Sequence, residues 1–212
     1  MKTDDLIAAI SADAKSARPP ITSVVWLAAG AGVIATAMLF FLILQPRPNI
    51  AEAITEPGFL YKWVLTLTLL ASALVLMLQL ARPQPLSRNG LLFLLAPVGV
   101  LALGVAYELV TLPSSDWMPT MIGTSATACM TYIPILSALP LAALLLALRQ
   151  GAPSRPTLTG AIAGLAATGI GATFYASHCT NDSPLFMAAW YVVGAAIVAV
   201  AGALLGARLL RW

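Results

Sequence analysis

Long apolar runs, each followed by a short polar connector, recur six times along the chain. They cover approximately residues 23–44, 63–81, 90–110, 129–148, 157–177 and 185–207. A helix of about 20 apolar residues crosses roughly 30 Å of hydrocarbon. The connectors are rich in Pro and Gly, and they are too short for a large soluble domain. The pattern predicts an all-α polytopic membrane protein, a bundle of six transmembrane helices over residues 21–212.

The basic residues predict how this bundle is oriented. With the N-terminus in the cytoplasm, Arg47 and Lys62 fall on the outer side, and the other nine Lys and Arg fall on the inner side. Cytoplasmic loops of membrane proteins carry an excess of Lys and Arg. We therefore expect a multi-pass protein of a bacterial inner membrane with both termini in the cytoplasm.

Composition agrees with a lipid environment and excludes one class of partner. Hydrophobic residues make up 60% of the chain and charged residues 9%, against about 25% charged residues in an ordinary soluble domain. The formal net charge is only +3. A nucleic-acid-binding protein needs a clustered basic surface, so direct nucleic-acid binding is not expected.

No ionisable side chain lies at the centre of a predicted span. Transporters and proton pumps usually keep such groups near the midplane, where they persist only for function. This absence counts against a small-solute or metal transporter, which remains an alternative. Glu108 and Lys62 lie near outer span ends; we expect solvation there, with pairing between helices as the less frequent arrangement.

The chain has two cysteines, and the predicted topology places both on the periplasmic side. Cys129 begins the fourth span, and Cys179 lies in the loop after the fifth. In an oxidising compartment two thiols can form a disulfide if their Cα atoms come within about 7 Å. A permanent disulfide and a redox- or metal-responsive pair are both open. His178 adds an imidazole, so Cys129, Cys179 and His178 would suit a transient copper, cadmium or zinc ion; no cofactor is obligatory, and a lone loop histidine is more often solvated.

Residues 1–20 predict a separate cytoplasmic segment. Thr3 can cap a helix whose first turn holds Asp4 and Asp5, which is favourable at the positive end of the helix dipole. Apolar residues then follow along one stripe of the helix: Leu6, Ile7, Ile10 and Ala14. Such a short amphipathic helix is marginal alone in water. An acidic first turn disfavours anionic lipid, so we expect a groove on a partner protein.

These features together resemble the NrsF-type membrane anti-sigma factors of proteobacteria. The resemblance is carried by the opening sequence MKTDDLIAAI, by Asp13 and the prolines before the first span, by the six spans, and by one cysteine at each of the last two outer loops. It implies a protein that holds an extracytoplasmic-function sigma factor at the inner membrane. It also implies release under heavy-metal or oxidative stress through two periplasmic cysteines, by position Cys129 and Cys179.

The sequence thus predicts a regulator rather than an enzyme. We expect the sigma factor to be bound through Asp4, Asp5, Leu6, Ile7, Ile10 and Asp13. A chemical change at the two cysteines, either disulfide formation or metal capture, would weaken that binding. A membrane thiol oxidoreductase is the other alternative, but such enzymes use a Cys-x-x-Cys pair, and these cysteines lie fifty residues apart.

Overall fold

The computed structural model describes residues 3–13, 19–82 and 92–211, and each regular element in these ranges is helical. In chain order the helices are α1 (Thr3–Asp13), α2 (Ile21–Ile43), α3 (Ile50–Ala53), α4 (Pro57–Leu80), α5 (Leu95–Thr111), α6 (Trp117–Ile122), α7 (Ala126–Leu148), α8 (Pro156–Ala176) and α9 (Pro184–Leu209). A 3-10 turn at Ser114–Asp116 precedes α6, and a π-helical turn at Met187–Tyr191 interrupts α9.

Five of the six predicted spans are long and apolar enough to cross a membrane. They are α2, α4, α7, α8 and α9, of 21 to 26 residues. The remaining one, α5, is apolar but has 17 residues. Its predicted start at residue 90 lies outside the described residues, so a sixth full span stays a prediction.

The helix α4 begins at Pro57, six residues before the predicted span. The prediction followed an uncharged run and therefore stopped at Lys62. In the structure Lys62 lies inside α4 and is completely buried. Proline suits the first helical position because its missing N–H has no partner there in any helix, which explains why the helix starts at Pro57.

The centre of the bundle is α8, which packs against α4, α7 and α9. Its sequence is rich in Gly, Ala and Thr, and small residues let helix backbones approach closely in a membrane. Gly160 and Gly164 face the backbone of α9 at Gly202 and Val198. On the outer flank of the bundle, α2 contacts α7 through a hydrogen bond from Thr36 Oγ1 to the Leu136 carbonyl oxygen, 3.1 Å long.

The two ends of the bundle differ in charge. At one end the Ala152 N–H bonds the Ala81 carbonyl oxygen, and Arg82 Nη2 bonds Thr22 Oγ1 at 3.1 Å. The same end carries the basic residues that flank α7, α8 and α9, namely Arg149, Arg155 and Arg208. The opposite end carries both cysteines. This separation is what the predicted topology requires, while the orientation in the membrane itself stays a prediction.

The predicted N-terminal helix is present as α1. Thr3 is already helical rather than capping, and Asp4 and Asp5 occupy the first turn as predicted. The side chains of Leu6 and Ile7 are 44% and 59% exposed, which leaves an apolar surface on this short helix. The side chains of Ile10 and Asp13, and residues 14–18, lie outside the described part of the chain.

Candidate functional site

The structure brings Cys129 and Cys179 together in one buried cluster. Cys129 is the fourth residue of α7, and Cys179 lies in the loop between α8 and α9. Both are free thiols, with exposed fractions of 0% and 2%. Both side chains belong to one buried cluster, together with Tyr175 and Tyr191. The sequence left open whether the two cysteines approach each other; in the structure they lie in one cluster as free thiols.

Aromatic residues pack in the same buried cluster as the two thiols. Tyr175 of α8 and Tyr191 of the π-helical turn are buried beside them, with ring centroids 5.9 Å apart. Within the described residues neither hydroxyl has a hydrogen-bond partner. π-helical turns inside α-helices are frequent at functional sites. Here the turn supplies one wall of the cysteine cluster.

Two buried cations fix the loop that carries Cys179. Lys62 Nζ lies 2.7 Å from the Cys179 carbonyl oxygen and 2.5 Å from Asp182 Oδ1. Arg47 Nη1 lies 2.8 Å from Asp182 Oδ2, and the Arg47 N–H bonds the Ser177 carbonyl oxygen. The loop is thereby attached to α4 and to the segment after α2.

The surroundings of Cys179 favour its ionised form. The hydrogen bond from Cys129 and the nearby Lys62 ammonium lower the pKa of the Cys179 thiol to about 6, although burial acts in the opposite direction. A thiolate is the reactive form of cysteine towards oxidants and electrophiles. The direction of this shift makes Cys179 the thiol whose surroundings favour the thiolate.

The predicted three-residue metal site is not assembled. His178 Nδ1 lies 2.9 Å from the carbonyl oxygen of Gln45, a residue with φ +64° just after α2. Among the described residues, no three Cys, His, Asp or Glu side chains are grouped so that they could hold a metal ion. The imidazole of His178 instead contacts the backbone just after α2.

Glu108 and Lys62 are both paired across helices, so the expectation that they are solvated was wrong. Glu108 Oε2 accepts hydrogen bonds from Ser183 Oγ and from the Leu185 N–H, each 2.8 Å long. A carboxylate at a helix N-terminus satisfies free N–H groups and the helix dipole. This contact fixes the start of α9 beside the cysteine loop.

Sequence reasoning found the cysteines but missed the ions around them. In the sequence Arg47 and Lys62 are the two basic residues on the predicted outer side, and pairing of Lys62 between helices is the less frequent of its two expected arrangements. The small number of basic residues on the predicted outer side was the available signal, because a Lys or Arg retained there is expected to have an acidic partner. Asp182, three residues after Cys179, was the nearest carboxylate in sequence.

Comparison with known proteins identifies the family. The family described as "NrsF: Negative regulator of sigma F" matches residues 10–212. The chain is 35% identical to the Anti-sigma-F factor NrsF of Caulobacter vibrioides and 32% identical to the Probable anti-sigma-F factor NrsF of Azospira oryzae, in each case over 100% of both chains. No solved structure matches. The resemblance noted in the sequence is thus confirmed, and the chain belongs to the NrsF family of negative regulators of sigma F.

Proposed function

We propose that this protein is a membrane-bound anti-sigma factor that sequesters an extracytoplasmic-function sigma factor and releases it when Cys129 and Cys179 are oxidised. The observation that carries the proposal is full-length similarity to proteins named anti-sigma-F factors. The family is one of regulators, which leaves the thiol oxidoreductase alternative without support. The buried pair of free thiols gives such a regulator a chemical input.

The proposed partner-binding segment is α1. Leu6 and Ile7 are apolar and exposed, and they would dock with Ile10 in a hydrophobic groove of the sigma factor. Asp4, Asp5 and Asp13 would face basic, DNA-binding surfaces of that partner. Binding there would block the contacts that the sigma factor makes with RNA polymerase or the promoter. An amphipathic helix in a groove is a common recognition mode.

The proposed input is disulfide formation between Cys129 and Cys179. Two free thiols in one buried cluster support this input, whereas among the described residues no third metal ligand is grouped with them. A soft ion such as copper, cadmium or zinc held by the two thiolates alone is the second candidate. Either event would act on α7 and on the α8–α9 loop.

The bundle offers a direct connection from the cysteines to its basic end. Helix α8 runs between Cys179 and Pro156, and it contacts four other spans. We propose that a shift of α8 changes the surface on which α1 and the sigma factor are held. Only about 1.4 kcal/mol of differential affinity is needed for tenfold release.

A reporter for the sigma factor's promoter tests this function. Deletion of residues 1–17 should give constitutive output, because the partner is no longer held. Cys129→Ser and Cys179→Ser should each lose the response to peroxide, chromate, cadmium or copper while retaining repression. Output that is unchanged in all three variants would contradict the proposal and favour a transporter or a purely structural protein.

Co-precipitation tests the docking surface separately. Leu6→Asp combined with Ile10→Asp should abolish recovery of the sigma factor, since charges would enter an apolar interface. Ser11→Ala is the matched control, because within the described part of the chain its hydroxyl bonds the Ile7 and Ala8 carbonyl oxygens of its own helix. Full recovery with the double variant would refute docking through this stripe.

A further inference from the structure

The cluster of Arg47, Asp182 and Lys62 carries an unmatched positive charge. Asp182 is the shared carboxylate, with Lys62 on one oxygen and Arg47 on the other. The side chains of Arg47 and Lys62 are 4% and 0% exposed. Glu108 bonds Ser183 and Leu185 instead. Two cations and one anion leave a net charge of +1 in a buried place, where solvent screens it weakly.

This charge is attached to the residue that bears one of the thiols. Lys62 Nζ bonds the Cys179 carbonyl oxygen at 2.7 Å, and Arg47 Nη1 lies 3.5 Å from the same oxygen. The guanidinium and the ammonium also lie 4.8 Å and 5.6 Å from the centre of the Phe59 ring. Both cations are therefore held in place whether or not an anion forms beside them.

We propose that Lys62, supported by Arg47 and Asp182, is a positioning residue that makes Cys179 the thiol that reacts first and Cys129 the thiol that completes the disulfide. The inference deepens the proposed function and rests on it for its biological meaning. Its physical basis is that Lys62 and Arg47 both lie against the Cys179 carbonyl oxygen, so an anion at Cys179 neutralises the excess charge, whereas Cys129 lies on a different element, α7.

The reaction is balanced with a hydroperoxide as the two-electron oxidant. The Cys179 thiolate donates an electron pair to the distal peroxide oxygen, the O–O bond breaks, and the alkoxide or hydroxide leaves after taking up a proton. The sulfur of Cys129 then attacks the resulting sulfenic acid. The S–S bond forms, the S–O bond breaks, and water leaves with the Cys129 proton. Both thiols are oxidised, and one hydroperoxide is reduced.

Other titratable groups lie near Cys179, and a change in their charge could also alter the pH dependence of Cys179 oxidation. Tyr175 and Tyr191 are phenols, which are uncharged at neutral pH. His178 is adjacent to Cys179 in the sequence, and its imidazole bonds the Gln45 carbonyl oxygen. A His178→Gln variant therefore accompanies the measurement, and it should leave the order of reaction unchanged.

The first test compares single-thiol proteins. Purified full-length Cys129→Ser and Cys179→Ser, in lipid nanodiscs, are treated with hydrogen peroxide, and sulfenic acid formation is followed by mass spectrometry at several pH values. Small reagents are required because both thiols are buried. The protein that retains Cys179 should react at least tenfold faster at pH 7. Equal rates, or faster reaction at Cys129, would overturn the proposal.

The second test removes the charge. A nearby opposite charge favours the ionised form of a thiol, and Lys62 lowers the pKa of Cys179. Lys62→Met in the Cys129→Ser background should therefore slow oxidation at pH 7 severalfold and move the pH profile upwards. Lys62→Arg should restore most of the rate. Arg82→Met, which removes a cation from the opposite end, is the matched control and should change nothing.

Misfolding of Lys62→Met can be told apart from a wrong assignment of the role of Lys62. If Lys62→Met elutes as aggregate, the comparison of the two single-thiol proteins still decides the order of reaction. A folded Lys62→Met protein with an unchanged profile would overturn the role of Lys62. No sigma factor is present in these oxidation measurements, so their outcome does not depend on the reporter test. The reporter test, in turn, does not depend on which thiol reacts first.

Discussion

The close approach of α8 and α9 makes Gly160→Ala an informative perturbation. A Cβ at Gly160 would meet the Gly202 carbonyl oxygen, and it would lie 2.8 Å from the Gly206 Cα. Both neighbours are backbone atoms of α9, so no flexible side chain can move aside. The helices must separate to admit one methyl group, and the contacts along the rest of this interface are loosened with them.

A second glycine provides the reference for the magnitude. A Cβ at Gly30 of α2 has no atom within 4 Å, so Gly30→Ala changes only the intrinsic helix preference, worth about 1 kcal/mol in favour of alanine. Gly160→Ala gains the same preference but adds an overpacking cost of about 1–3 kcal/mol. The difference between the two variants isolates the packing term, and we expect Gly160→Ala to be less stable by about 1–3 kcal/mol.

Reversible unfolding in mixed detergent micelles, titrated with dodecyl sulfate and followed by circular dichroism, measures this difference. Wild type, Gly30→Ala and Gly160→Ala are compared under identical conditions. If the two variants have free energies of unfolding within about 0.5 kcal/mol of each other, α8 and α9 do not approach as described. A loss of stability in both variants would equally refute the assignment of Gly30 to open space.

Three further predictions concern the polar contacts. Thr36→Val should lower the free energy of unfolding by about 0.6 kcal/mol, since interhelical hydrogen bonds in membranes contribute on that scale; the same titration measures it, and a loss above about 2 kcal/mol would contradict it. Glu108→Gln should destabilise the start of α9 and speed hydrogen exchange of its first amides, because a neutral amide replaces the carboxylate that accepts from Ser183; unchanged exchange would refute the contact. Since the pKa of Cys179 is lowered to about 6 in the folded protein, the rate of alkylation of this thiol should be half-maximal near pH 6. For the same reason the free energy of unfolding should increase as the pH rises from about 6 towards the ordinary thiol pKa. Cys129→Ala, which removes the hydrogen-bond donor, should move that midpoint upwards, and a midpoint that stays in place would show that Cys129 does not stabilise the thiolate.

Most of the fold was predictable from the sequence because membrane helices leave a local signal. An apolar run of sufficient length must form its hydrogen bonds internally, and this physical requirement identified α2, α7, α8 and α9 to within a few residues. The start of α4 was missed because Lys62 ended the uncharged run. A positive charge inside a helix is tolerated when a carboxylate from another segment pairs with it. Such a distant partner cannot be identified from the local run of apolar residues.

The candidate site was predictable only in its chemistry. Two cysteines on one side of the membrane indicated where thiol chemistry could occur, and residue type alone carried that information. The ion cluster depends on contacts between residues more than a hundred positions apart, such as Lys62 with Asp182. One sequence without an alignment contains no measure of such contacts. The contact between His178 and the Gln45 carbonyl oxygen is likewise a long-range one that sequence adjacency to Cys179 could not indicate.

Burial of Arg47 and Lys62 also determines the electrostatic potential of the surface above the thiols. Among the described residues at this end of the bundle, the exposed charges are the carboxylates of Glu52, Glu56 and Asp116. This surface therefore attracts cations and repels anions at distances up to about 8 Å in physiological salt. A cationic methanethiosulfonate reagent should reach the site faster than its anionic counterpart, and the advantage should disappear in concentrated salt. An uncharged oxidant is insensitive to this potential, so its rate of arrival is independent of ionic strength.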